Sequence, residues 1–162
     1  MADFEVRLAR RTDLPRLELL WAAYMREMRR RTVVYGPPDA KARASWRRSV
    51  RASFGKKGRA FVAVAGDRVL GMLFCDLIEH EPWIRPFRVG YLSSAYVLPS
   101  HRGRGILRAM LREAEDWCGT RGVTSFAAWV LRANTEALAA WKRLGYGTSA
   151  EYLLKTPKKT RK

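Results

Sequence analysis

Apolar and charged residues alternate over Phe4-Glu5-Val6-Arg7-Leu8, the period-two signature of a strand with one wet face. The period then changes. Leu14, Leu17, Leu20, Trp21, Tyr24, Met25 and Met28 recur at helical spacing and predict a helix with one apolar face from Thr12 to about Arg29. Thr12 offers a capping hydroxyl, Asp13 sits in the first turn, and Pro15 falls where a missing amide hydrogen does little harm. Gly36-Pro37-Pro38-Asp39 breaks the chain, and an Ala- and Arg-rich helix follows from Ala40 to about Ser53. The apolar runs Ala60–Ala65 and Val69–Ile78, joined by Gly66-Asp67, read as a hairpin. Beyond the loop Glu81–Phe87, Val89–Leu98 is the next strand, stopped by Pro99. A helix from about Gly105 to Cys118, a strand Phe126–Leu131, a helix Thr135–Leu144 closed by Gly145 and a strand Tyr152–Leu154 complete the pattern. The order β-α-α-β-β-β-α-β-α-β predicts an α/β domain around a mixed sheet, since hairpins and crossovers both occur.

The 162 residues fit a single domain over residues 1–156 with a short basic tail, 157–162. With 48% hydrophobic residues the chain can bury a core, which excludes a disordered polycation. The longest uncharged apolar runs, such as Val69 to Cys75, suit buried strands and are too short for a membrane span. The alternating N-terminus is not a signal peptide. Cys75 and Cys118 have neither metal-ligand nor redox spacing, so no metal is expected, and buried thiols in a reducing cytoplasm are.

Charge changes the picture only partly. Lys and Arg number 32 against 15 Asp and Glu, a formal net charge of +17 spread as +9 over residues 1–58 and +8 over the rest. Such a field attracts phosphates and acidic surfaces. Yet the chain has no zinc-finger spacing, basic zipper or RNA-recognition strand signature, so charge alone names no nucleic-acid module.

Chemistry concentrates in Tyr96-Val97-Leu98-Pro99-Ser100-His101-Arg102-Gly103-Arg104-Gly105-Ile106-Leu107, where a strand ends, a glycine-rich turn follows and an amphipathic helix begins. The first amides of that helix lack partners within it, and its dipole places partial positive charge there. Gly103 and Gly105 permit backbone angles that aim successive N–H groups at one point, and Arg102 and Arg104 add full charge. The product is an anion pocket suited to a pyrophosphate. A nucleotide P-loop would put Gly-Lys-Ser/Thr at the helix start and a dinucleotide fingerprint needs three spaced glycines; both readings fail here.

Arg102-Gly103-Arg104-Gly105-Ile106-Leu107 resembles the acetyl-CoA motif Gln/Arg-x-x-Gly-x-Gly/Ala of the GNAT superfamily of N-acetyltransferases, with Leu107 departing from the final Gly/Ala. Asn134-Thr135-Glu136-Ala137 followed by Trp141-Lys142-Arg143-Leu144-Gly145-Tyr146 is similar to the family's Asn-x-x-Ala…Tyr-Glu-Lys-Leu-Gly-Phe ending, and Val6–Leu14 to its opening strand and helix. The resemblance implies a mostly antiparallel sheet with splayed fourth and fifth strands, and transfer of an acetyl group from acetyl-CoA to a primary amine by direct attack. It implies a cofactor site of Tyr96, Val97, Leu98, Arg102, Gly103, Arg104, Gly105, Ile106, Leu107, Asn134 and Trp141, with a backbone N–H near Val97 polarising the thioester carbonyl. Trp141 stands where many members have a Tyr that protonates the departing thiolate, and an indole is not a useful acid.

Glu79 and Glu81, flanking His80 at the end of the third strand, are candidate proton acceptors, and Tyr96 is the third candidate catalytic side chain. Strict alternation puts Ser94 and Tyr96 on one side of their strand and Tyr91, Ser93 and Ala95 on the other. Trp21, Trp46 and Trp83 are candidates for an aromatic acceptor pocket, helical spacing favouring the core for Trp21. Eight arginines between Tyr24 and Arg59 leave open a small-molecule or peptide amine, or an acceptor that is polyanionic or RNA-linked. A homodimer stays open, and no membrane partner is expected. Two other readings stand beside the enzyme: a CoA-binding regulator that lost catalysis, and a nucleic-acid- or ribosome-associated protein on the same scaffold.

Overall fold

A computed structural model describes residues 3–55 and 57–151, the side chain of Ala52 excepted. The last expected strand, Tyr152–Leu154, and the basic tail lie outside the described residues. The chain divides into two compact units, Met1–Trp129 and Val130–Lys162.

The first unit holds a five-stranded sheet in the order β1-β2-β3-β4-β5: β1 (Glu5–Leu8), β2 (Gly58–Ala65), β3 (Arg68–Glu79), β4 (Arg88–Val97) and β5 (Phe126–Ala128). Neighbours from β1 to β4 run antiparallel, and β5 joins β4 in parallel. Helices α1 (Leu14–Arg31) and α2 (Ala40–Ala52) cover one face, and α3 (Ile106–Gly119) the other. On the α1/α2 face, Leu17, Leu20, Trp21, Trp46, Val50, Val62, Met72, Phe74 and Tyr96 form one buried cluster. Trp21 stacks on Trp46 with ring centroids 5.3 Å apart, so both belong to the core rather than to an acceptor pocket, and Trp83 is 78% exposed. On the α3 side, the buried free thiols of Cys75 and Cys118 lie 3.5 Å apart, and burial pushes both up from their usual pKa.

Two helix starts differ in how far sequence foretold them. Asp39 caps α2 by accepting from the Ala42 N–H at 2.8 Å, as an Asp before an amphipathic run should. Thr12 does not cap α1: Arg11–Asp13 forms a short 3-10 turn, and Asp13 is the organising residue. Its carboxylate, 3% exposed, accepts two bonds from the Arg7 guanidinium at 2.8 and 3.0 Å and one from the Arg10 N–H at 2.7 Å, tying the end of β1 to α1.

That pairing has a measurable worth. The Arg7 hydrogen bonds outweigh burial and, with the Arg10 amide, hold the Asp13 carboxyl below its usual pKa. Its contribution is therefore complete above the unfolded-state pKa and is lost as pH falls through the lowered folded value. Asp13→Ala strands the guanidinium and is expected to cost about 3 kcal/mol at neutral pH in urea unfolding, with a deficit that shrinks in acid.

The second unit contains α4 (Thr135–Arg143). Asn134 caps it, accepting from the Ala137 N–H at 3.3 Å, and Gly145, at φ 92°, closes it.

Candidate active site

The site is built on β4. Its pairing with β5 covers only Gly90, Tyr91 and Leu92, opposite Phe126, Ala127 and Ala128, so β5 is shorter than the expected Phe126–Leu131. Strand β4 itself continues to Val97, paired with β3 on either side of one irregularity. Past Leu92 its outward main-chain groups have no β5 partner among the described residues. Leu98 donates to the Leu70 carbonyl at 2.9 Å, and alternation along the strand then turns the Val97 N–H away from β3 into the gap.

A bulge lies between these two stretches. Met72 pairs with Tyr96 but Phe74 pairs with Ser93, so β4 carries one extra residue, and Ser94 takes a positive φ of 48°. The bulge reverses the facing expected from strict alternation. Tyr91, Ser93 and Tyr96 all look toward α1 and α2, opposite Asp76, Phe74 and Met72 respectively. A β-branched side chain tolerates this backbone poorly. Ser94→Val is expected to lower stability by ~2 kcal/mol while Ser94→Gly lowers it by none, as thermal unfolding of the two variants will read.

After β4, a 3-10 turn (Pro99–His101) leads to the glycine-rich loop. Gly103 and Gly105 have φ of 76° and 81°, and Gly105 is the N-cap of α3. A Cβ would find open space at both, so left-handed backbone rather than crowding is what calls for glycine. No side chain caps α3 and no acidic residue occupies its first turn. The amides of Ile106 and Leu107 therefore head a helix built to receive an anion. Arg104 is exposed beside them.

Arg102 does something else. Its Nε donates to the Val97 carbonyl at 3.1 Å, its Nη2 to Glu27 on α1 at 2.7 Å, and its guanidinium lies 5.5 Å from the Tyr96 ring centroid. It braces the loop against β4 and α1. Burial pushes the Glu27 carboxyl up, but the hydrogen bond and charge of Arg102, with Arg31 behind them, leave it below the usual range. Tyr96 is buried against Tyr24 with centroids 5.9 Å apart; burial, then the Glu27 charge, raises its phenol pKa.

Glu79 and Glu81 stand at the opposite end of the β3–β4 hairpin. Glu79 is paired with Arg88 at 3.3 Å with a side chain 58% exposed, and Glu81 is exposed. Eight residues of β4 separate Arg88 from Tyr96, roughly 25 Å. A different carboxylate lies nearer. Asp76 pairs across the sheet with Tyr91, two residues from Ser93, on the α1/α2 face. Burial raises its pKa, and a hydrogen bond from Ser53 offsets that in part. Room for it is made by Gly58, where a Cβ would collide with Asp76 Oδ1. The sequence held a signal for it: an Asp inside the apolar run Val69–Ile78.

In the second unit, Asn134 is the helix cap, and the buried Trp141 meets Tyr146 edge-on at 4.7 Å. No group of His, Cys, Asp and Glu suited to a metal occurs among the described residues, and none of their helices is long and apolar enough to cross a membrane.

A fourth strand thus parts from a parallel fifth past Leu92 and runs into a glycine-led helix with no side-chain cap. The sequence model of the acetyltransferase (GNAT) family matches residues 17–146, and the chain belongs to that family. Members use acetyl-CoA, and the uncapped α3 terminus with the free edge of β4 fits its diphosphate and amide-bearing arm. Streptothricin acetyltransferase of Streptomyces lavendulae is 31% identical over 88 residues, 54% of this chain and 44% of that one. An aminoglycoside N(6')-acetyltransferase type 1 of Acinetobacter haemolyticus is 36% identical over 58 residues, 36% of this chain and 40% of that one. These matches thus span less than half the length of either relative. A predicted acetyltransferase from Clostridium acetobutylicum, solved with acetyl-CoA, shares the fold at a TM-score of 0.74 and 16% identity over 94% of this chain and 96% of that one.

Proposed function

We propose that the protein transfers the acetyl group of acetyl-CoA to a primary amine by direct attack in a ternary complex. One observation carries this reading: past Leu92 β4 has no β5 partner among the described residues, continues through a bulge to Val97, and leads by a glycine-rich turn to a helix whose first amides no side chain caps. The diphosphate is held by the amides of residues 103–107, with Arg104 adding charge and Arg102 fixing the loop. Tyr96, Val97 and Leu98 line the path, and the Val97 N–H pairs with the pantetheine arm or the thioester carbonyl. A pre-aimed donor of that kind is typically worth ~3–4 kcal/mol where negative charge develops. Holding amine and thioester together supplies much of the rest.

The attacking amine must shed a proton. Of the acids, Asp76 is the best placed acceptor, directly or through a water, because it lies on the α1/α2 face two residue pairs from the bulge and burial makes it more basic. Glu79 and Glu81 are the alternatives along the same hairpin. The new C–N bond forms as the C–S bond breaks, and the CoA thiolate leaves with hydrogen-bond support and is protonated by solvent. The relatives' names point to small amine acceptors.

The direct test is a free-thiol assay over a panel of primary amines with acetyl-CoA, with mass detection of the acetylated product. Amine-dependent thiol release with matching product is the expected result. Coenzyme binding without release from any amine would favour a regulator instead.

A further inference from the structure

Resting on the acetyl-transfer reading, we infer that the acceptor is an amine with one positive charge on an aromatic body, and that polycations are rejected. A run of aromatic rings stands beside the bulge. Tyr24 contacts Tyr96 at 5.9 Å and Tyr35 at 6.5 Å between centroids, and Tyr35 contacts Trp129 at 6.2 Å, the two Tyr35 contacts being edge-on. Tyr91 stands on the same face, paired across the sheet with Asp76, and burial raises its pKa. Tyr24, Tyr35 and Tyr91 are half-buried and Trp129 is 42% exposed, so this wall is reachable rather than sealed in the core. Trp129 directly follows the last paired residue of β5, which puts the wall at the mouth of the gap. Such faces attract an ammonium and stack on a flat apolar body.

The acid inventory sets the charge. Glu18 is held by Arg43 and Arg47, and Glu27 by Arg31 and Arg102. Asp76 is the carboxylate on this face that no basic side chain pairs with among the described residues. One carboxylate balances one ammonium. Exposed Arg26 on α1 lies close enough to Tyr96 to act on it, and the chain carries a formal net charge of +17, so a second or third ammonium meets like charge.

The test compares thiol release from acetyl-CoA at low ionic strength with 2-phenylethylamine, tyramine and tryptamine against spermidine and kanamycin. The expected kcat/KM for the aromatic monoamines exceeds that for the polycations at least tenfold. Tyr35→Leu, in an irregular segment whose replacement leaves the core intact, is expected to raise KM for tryptamine about tenfold with kcat little changed and coenzyme affinity unaltered; Tyr35→Phe should restore KM. Preference for the polycations, or a Tyr35→Leu enzyme with unchanged KM, overturns the inference while leaving acetyl transfer standing. Absence of thiol release with every amine overturns the transfer reading and takes the inference with it.

Discussion

Gly105→Asp is expected to abolish acetyl-CoA binding without unfolding the protein. The N-cap of α3 has φ 81°, a left-handed backbone that Asp and Asn enter more readily than other side chains. The substitution therefore tests charge more than strain. Its carboxylate would sit at the amides that receive the diphosphate. Two unit charges about 4 Å apart at an effective dielectric near 20 repel by about 4 kcal/mol, which takes binding down several hundredfold or more. Gly105→Asn has the same backbone demand and no charge, and should keep most of the affinity. Thermal stabilisation by acetyl-CoA is the readout: present in wild type and Gly105→Asn, absent in Gly105→Asp. Equal stabilisation in all three would remove the diphosphate from this loop.

Asp76→Asn is expected to trade activity for stability. A carboxylate accepts a proton only when ionised, so the wild-type rate should rise with pH through the raised pKa of Asp76. The substituted amide keeps the shape and can keep the bond to Ser53, but it removes that limb and lowers kcat by roughly 100-fold or more. Stability moves the other way. Burial raises the folded-state pKa, so ionised Asp76 costs folding free energy, a cost absent below the usual carboxylate value of 3.8 and complete above the folded pKa. Asp76→Asn should melt higher than wild type at neutral pH and lose that advantage toward about pH 3. A variant that is stabilised yet fully active would return Asp76 to a structural role and point back to Glu79 or Glu81.

The turn between β4 and α3 was legible because its determinants are local. Gly103 and Gly105 after a strand and before an apolar-faced helix fix a left-handed turn and an uncapped terminus within a few residues, whatever the rest of the chain does. The succession of the first five strands along the chain followed for the same reason, from period and from the Gly66-Asp67 turn. The bulge in β4 and the residues around it were not local in origin. A single Ser94 carries no turn signature; its left-handed backbone arises from pairing that holds Met72 to Tyr96 and Phe74 to Ser93 at once. That one bulge turns Tyr91 and Ser93 to the same face as Tyr96, where alternation placed them opposite. Asp76 hid inside a strand whose other residues argued only for burial. The start of α1 went to Asp13 rather than Thr12 because a partner on another element, Arg7, outcompetes a neighbouring hydroxyl.

The decisive measurement is a crystal structure with coenzyme A bound. Diphosphate oxygens are expected within hydrogen-bonding distance of the main-chain amides of residues 103–107, with the pantetheine arm alongside β4 and its amide paired to Val97. Coenzyme bound elsewhere, or β5 found hydrogen-bonded to β4 beyond Leu92 so that no arm can enter, would contradict this placement.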